Sequence, residues 1–408
     1  MREGWKLTPL GDLVRIASGQ VDPKDTEIAR KPSVGPDNLR SGGGLETAGV
    51  KTAGELEQIS GKYAFDRNAI LYSKIRPNLN KIALVDFDGI CSADMYPIWV
   101  RDDHQAVRDF IFYVMNSERF VADATSRSFR TGLPKINRPD LESIEVLLPP
   151  LPEQRKIAEI LRTWDEAIEK VEALRAAKLR RHRALTHSLV FGTRQLDRFR
   201  TTDEVAAHRW FTLPATWGIK PIGKLAREIS ERNGDGEQHE VLSCSKYDGF
   251  VRSLEYFKKQ VFSADLSGYK KIWRGDFGFP SNHVEEGSIG LQNLTDVGVV
   301  SPIYTVFRFA PEKVDADYAF AVLKTGLYRH IFEVSTSASV DRRGSLRWSE
   351  FSKLPFPLPS LAEQRAIAEV LHTAQTDLDA LNTEIEALTR QKRGLMQKLL
   401  TGEWRVAV

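Results

Sequence analysis

The longest regular alternation of apolar and polar positions lies near the end of the chain. Leu371, Ala374, Leu378, Leu381, Ile385, Leu388, Leu395 and Leu399 follow one another in steps of three and four, with Lys392 the one polar member of the series. Apolar side chains at that spacing share one helix face and form a heptad seam. An earlier stretch repeats the pattern through Leu161, Trp164, Ile168 and Val171; Arg175, Lys178 and His182 then interrupt it before Leu185 and Leu189 resume. Each stretch predicts a helix of about 40 residues, hence roughly 60 Å long. Pro152 suits a first helical turn, Ser360 and Glu363 have the spacing of a capping box, and Gly192 and Gly402 stand where a left-handed terminating residue belongs.

The two helices are copies. Leu148–Thr163 and Leu358–Thr373 agree at eleven of sixteen positions, and the offset of 210 holds without a gap to Gly192 and Gly402. A weaker echo opens each half: Trp5, Pro9, Leu10, Gly11 and Leu13 against Trp217, Pro221, Ile222, Gly223 and Leu225, at an offset of 212. The order is therefore body, rod, body, rod. One such helix cannot bury its seam alone, and the simplest partner for each is the other, as an antiparallel pair with pseudo-two-fold symmetry.

The bodies read as mixed. Short strand-like runs occur at 69–72, 81–85 and 95–100, followed by helical spacing over 105–121. The second body repeats that order with Ile289–Leu291, Ile303–Phe309 and a helix over Tyr318–Phe332. The fold class is α+β: two α/β domains at 1–150 and 194–360, with long helices at 151–193 and 361–408.

Composition changes this picture little. The chain has 408 residues, 41% of them hydrophobic, and a net charge of +3, which neither requires nor excludes nucleic acid. Two cysteines, Cys91 and Cys244, lie in different halves, so no disulfide framework is indicated. The start lacks an apolar signal segment and no run of eighteen apolar residues occurs, so a cytoplasmic location is expected.

Enzyme signatures are missing. A near-match to the nucleotide-binding loop at Gly218–Lys224 carries Leu225 in place of the magnesium-binding hydroxyl and Pro221 inside the loop, and reads better as a strand entry. His239-Glu240 does not continue into a zinc motif, and neither the Asn/Asp-Pro-Pro-Tyr motif of adenine methyltransferases nor a serine nucleophile elbow is present. No catalytic residue and no metal ligand are expected.

The informative charge is local. Ser73, Lys74, Arg76, Asn78 and Asn80 interleave cations with polar side chains that grip phosphate and read base edges. Arg127, Arg130 and Lys135 form a second basic stretch that ends at Arg138 and contains no acid. Ser281, Asn282 and His283 take the first position in the second body, and Arg342, Arg343 and Arg347 the second. A solvated surface is the plainer reading of any one loop; recurrence at corresponding places in both bodies points to nucleic acid. Arg175 to Arg200 adds eight cations against Asp197, to meet either phosphate or an acidic partner. The cations inside the first seam leave two readings: splayed helices, or contact with a partner or phosphate.

The doubled Glu-Gln-Arg-x-Ile-Ala-Glu motif, the Trp5 opening and Ile75–Ala83 together resemble the specificity (HsdS) subunits of type I restriction-modification systems. The resemblance covers the whole chain; the helix motif is the specific part. It implies two target-recognition domains, each reading one half of an asymmetric, bipartite double-stranded DNA target. It also implies two helical spacers that set the separation and dock methyltransferase subunits, two in number. On that basis Glu153, Gln154, Arg155, Ile157, Leu161, Trp164 and Ile168 in the first helix are expected to serve spacing and partner binding. Glu363, Gln364, Arg365, Ile367, Leu371, Leu378 and Leu381 are their counterparts in the second. The resemblance further implies a non-catalytic chain without a cofactor of its own: S-adenosylmethionine on the methyltransferase subunit, ATP and magnesium on the restriction subunit. The alternatives are a coiled-coil scaffold that binds no DNA, and the specificity subunit of a type II-like system.

Overall fold

The computed structural model describes residues 4–128, 134–234, 238–336 and 345–407. The chain divides into two compact units. Unit 1 joins Met1–Ala173 to Thr383–Val408, and unit 2 is the continuous stretch Leu174–Asn382. Each long helix, Leu151–Val190 and Leu361–Leu400, gives one half to each unit.

In unit 1, one antiparallel sheet orders Val14–Ile16, Met95–Val100, Ile70–Ser73 and Ile82–Leu84. A second orders Lys51–Thr52, Pro32–Val34, Gly89–Cys91 and Tyr63–Phe65, its middle pair parallel. Lys6–Pro9 pairs with Glu145–Leu148, the strand that leads into the first long helix. Pro149 and Pro150 end that ladder because neither can donate to it, and Pro152 is accommodated in the first turn, where its missing N–H has no partner to lose.

Unit 2 repeats this strand for strand. Ala226–Ile229, Tyr304–Phe309, Phe277–Pro280 and Gly290–Leu291 form the first sheet. Gly249–Arg252, Glu240–Ser245, Val297–Val300 and Lys270–Trp273 form the second, again with its middle pair parallel. Gly218–Pro221 pairs with Pro355–Leu358, so the near-match to a nucleotide-binding loop is a strand that runs into a 3-10 turn. A hairpin of Val205–Ala207 and Thr212–Pro214 has no counterpart among the described residues of unit 1.

The single helices expected over 105–121 and 318–332 are each two. Arg108–Met115 stops before Glu118–Ser126, and Ala316–Leu323 stops before Gly326–Ser335. The cause is local: Ser117 accepts from the Phe120 N–H and Thr325 from the Tyr328 N–H, both at 3.3 Å, so each starts a new helix one residue after the last has ended.

The long helices end as expected. The Ser360 hydroxyl accepts from the Glu363 N–H at 3.2 Å, and Gly192 and Gly402 take φ of +65° and +66°, where a side chain would be strained. The echo at the start of each half has a packing reason. A Cβ on Gly11 would meet the Glu142 Cβ at 2.8 Å, and one on Gly223 the Ser352 Cβ at 3.0 Å, so glycine lets the opening turn lie directly on the short helix behind it.

Within each unit the two helix halves run antiparallel. In unit 1, Asp165 meets Lys392 and Glu153 meets Arg405; in unit 2, Lys178 meets Asp377 at 2.8 Å and Arg175 meets Asn382 at 3.2 Å. Of the polar members of the seam, Lys392, Arg175 and Lys178 are thereby explained. Lys392 donates to Asp165, which also accepts from the Tyr113 hydroxyl at 2.7 Å, and Arg175 and Lys178 bond to the second helix. Neither splaying nor a partner is needed to account for Arg175 and Lys178. The apolar seam joins the body cores: Leu161 and Leu399 pack with Trp5 in unit 1, Leu189 and Leu371 with Trp217 in unit 2.

Candidate nucleic-acid interface

Two stretches singled out separately in the sequence meet in unit 1. Ile75 bridges to Lys135 in antiparallel pairing, the Arg76 N–H donates to the Pro134 carbonyl at 2.8 Å, and the Ile136 N–H donates to the Lys74 carbonyl at 2.9 Å. This places Lys74 and Arg138 against Tyr96, with Lys135 beside Lys74. The Lys74 ammonium lies 5.2 Å from the Tyr96 ring centre and the Arg138 guanidinium 5.5 Å from it and 5.8 Å from that of Tyr63. Arg138 also donates to the Ala17 carbonyl. Burial and then the nearby charge of Lys135 push the Lys74 pKa down, while Asp94, 3.6 Å from Lys135, opposes that shift. A bound anion would relieve the crowding of these cations.

The other residues of the loop divide by role. Ser73 is buried and donates to the Ile75 carbonyl at 3.2 Å, and Asn80, also buried, donates to the Asn116 side chain at 2.5 Å; both shape the loop. Arg76 and Asn78 are exposed. Arg76 and Asn80 adopt left-handed φ of +47° and +42°, which turns the backbone sharply on either side of Asn78. Arg127 is exposed and donates to Ser143 at 2.9 Å. Arg130 lies outside the described residues. Arg138, Tyr96 and Tyr63 are not among the expected contacts; the aromatic residues sit on strands distant in sequence, and only the register brings them under the cations.

Unit 2 builds the same backbone with different side chains. The Leu346 N–H donates to the Ser281 carbonyl at 2.8 Å, as Ile136 does to Lys74. Ser281 bonds to Thr305 at 3.0 Å and to the Ile303 carbonyl at 2.9 Å. Asn282 is half-buried, and His283 and Arg347 are exposed, while Arg342 and Arg343 lie outside the described residues. Where unit 1 presents Arg76 and Asn78, unit 2 presents His283, Glu285 and Glu286, with His283 and Glu286 in contact at 3.3 Å. The ligand atoms of these three lie within 4.8 Å of one another and are, among the described residues, the group able to hold a metal ion.

The duplicated helix motif faces inward. Gln154 is fully buried: its carbonyl accepts from the Val107 N–H at 2.9 Å and its amide donates to the Gln105 and Pro149 carbonyls, both at 2.9 Å. Gln364 repeats this with Asp315, Lys313 and Pro359 at 2.9, 3.1 and 3.0 Å. Glu153 accepts from Trp5 at 3.1 Å and pairs with Arg405 at 2.7 and 3.0 Å. Glu363, beside Trp217 and Gln195, meets no such cation among the described residues, and burial raises its pKa while those two side chains oppose the shift. Ile157, Leu161, Ile367, Leu371, Leu378 and Leu381 are buried, Trp164 and Ile168 half-buried, and Arg155 and Arg365 exposed. Of the repeated Glu-Gln-Arg, the arginine alone is left at the surface.

The family model for the type I restriction modification DNA specificity domain matches residues 2–178 and 272–390, most of the chain. The chain belongs to this family. Among curated proteins, this specificity-domain chain is 38% identical over 169 residues to the Escherichia coli type I restriction enzyme EcoDI specificity subunit, a match covering 41% of this chain and 36% of that one. It is 24% identical to the MjaVIII specificity subunit of Methanocaldococcus jannaschii, over 99% of this chain and 94% of that one. A chain from a solved structure on complex assembly and conformational transition of the type I R-M system shares its fold, with a TM-score of 0.58 at 19% identity over 98% of both chains. The S subunit of a type I system from M. genitalium does so with a TM-score of 0.55 at 15% identity, over 97% of this chain and 96% of that one.

Proposed function

We propose that this chain is the DNA-reading subunit of a type I restriction-modification complex, each unit reading one half of an asymmetric, bipartite target. One observation carries the reading: a backbone frame repeated strand for strand, with unlike side chains on its corresponding loops. A repeated frame gives two readers of one build; Lys74, Arg76 and Asn78 in one and His283, Glu285 and Glu286 in the other give them different hydrogen-bonding faces. In unit 1 the crowded Lys74, Lys135 and Arg138 supply the cationic side of a phosphate site, and Asn78, at the exposed tip, is within the class of side chains that reads bases.

The chain itself is non-catalytic in this reading. Methyltransferase subunits, likewise two, dock on the helical regions and bring S-adenosylmethionine; restriction subunits join through the complex with ATP and magnesium. The exposed Arg155 and Glu159, with Arg365 and Glu369 at the matching places on the second helix, are the motif residues open to such a partner. No helix among the described residues is long and apolar enough to cross a membrane. The test is to tag the chain in its own cells, identify the proteins that co-purify, and map modified bases genome-wide. Recovery with a methyltransferase in excess, together with one two-part modified sequence, is expected. Recovery alone, or with partners unrelated to DNA, would leave a coiled-coil scaffold as the better reading.

A further inference from the structure

In each unit one polar side chain ties together two loops that are far apart in sequence. In unit 1 it is Asn116, the residue that ends helix Arg108–Met115. Its amide donates to the Gly42 carbonyl at 2.9 Å, and its carbonyl accepts from Asn80 at 2.5 Å. The Gly42 N–H in turn donates to the Asn80 carbonyl at 3.1 Å, and Ser41 bridges to Lys81. The 40–44 loop is thus fastened to the loop that carries Arg76 and Asn78. In unit 2 the residue ending helix Ala316–Leu323 is Lys324. Its ammonium donates to the Lys246 carbonyl at 2.7 Å and to the Gly287 carbonyl at 3.0 Å, which fastens the 246–248 turn to the loop that carries His283 and Glu286. Asn80, which donates to its tie, and Gly287, which accepts from its own, hold matching places in the two loops, both with left-handed φ, at +42° and +92°.

The side chains differ in length, charge and chemistry, yet the ties join the same two loops. The post is rigid in both cases, because a buried helix precedes it and a capped helix follows at once. We propose that Asn116 and Lys324 are positioning residues for DNA reading, each locking two loops of its unit into one recognition surface without touching the target. Base discrimination needs donors and acceptors held within a few tenths of an ångström, and surface loops do not hold such geometry unaided. This rests on the DNA-reading assignment above and adds to it where half-site fidelity is set.

The experiment uses the whole system in its host, with Asn116→Ala or Lys324→Met in place of the natural residue. Modified bases are mapped genome-wide, and the purified complex is titrated with duplexes carrying the mapped sequence or single-base changes in either half. Each substitution should relax one half of the sequence, with discrimination there falling about tenfold, on the scale of one mismatched base pair. The other half and the affinity for unrelated DNA should stay as in the parent. Lys324→Arg, which keeps a donor, should restore most of the discrimination. An unchanged sequence, equal loosening of both halves, or failure of the substituted chain to assemble would each overturn the proposal. If the unsubstituted chain marks no two-part sequence, the DNA-reading assignment fails first and this proposal falls with it.

Discussion

Gln154 and Gln364 show what a repeated residue can be for. Each satisfies three backbone groups that would otherwise be buried without partners, and so welds the first turn of a long helix to the segment before the helical pair. Replacing either with Leu should cost about 3 kcal/mol or more, since each of the three groups left unsatisfied costs about 1–3 kcal/mol, and denaturant unfolding would read the loss. Lys74 acts at the surface instead. Lys74→Met should weaken DNA binding and lower the slope of log affinity against log salt by about 0.9, the signature of one lost phosphate contact. Glu363 gives a pH prediction. Its folded pKa is raised above the ordinary 4.5, so its contribution to stability is full below that value and is lost as pH rises through the folded one. Glu363→Gln should flatten that dependence, as should Gln195→Arg, which puts a cation where Arg405 serves Glu153; thermal unfolding followed from about pH 4 to about pH 8 would show it. The sequence announces the Glu-Gln-Arg motif plainly. Its inward direction is not legible there, because a helix has polar positions on every face and only the body's backbone tells which of them it needs.

The long helices are the most legible elements, since a period near 3.5 sustained through both copies leaves no other structure. Their polar interruptions are the part that spacing does not explain, because their partners lie on the other helix. Asp165 and Lys392 are such a pair, and Tyr113 closes the group. Lys392→Leu alone leaves Asp165 half-buried beside apolar neighbours and should cost roughly 1–3 kcal/mol. Adding Asp165→Leu should recover much of that, as buried pairs replaced by apolar side chains often do. A double-mutant cycle by denaturant unfolding checks both. The strands are legible only where apolar runs are long, as at Met95–Val100. Lys51–Thr52 is too short to carry a pattern, and the break between helices at Asn116 and Lys324 hides in continuous helical spacing.

At the scale of the molecule, the duplication read from the sequence is a duplication of backbone, and it extends further than residue identity does. The candidate recognition loops are legible by charge in unit 1, where Lys74 and Lys135 are neighbours, and by analogy in unit 2, where the frame recurs with His283, Glu285 and Glu286 in place of Arg76 and Asn78. The grouping into units is not legible, because it cuts each long helix in two. Unit 1 draws Met396, Leu399 and Leu400 into its core from beyond the whole of unit 2. Ending the chain at Asn382 should therefore loosen residues 5–173 and spare 174–382, a contrast that hydrogen exchange would resolve segment by segment. The same division sets an order in time. At about 5–20 residues per second, the intervening stretch from 174 to 382 takes roughly 10–40 s to make. Throughout that interval the first reader is out of the ribosome without the helix half it packs against, while the second can close as soon as its own residues have emerged. The half that is synthesised first is the half that matures last, and a message cut short yields an unfinished first reader rather than a working half-protein.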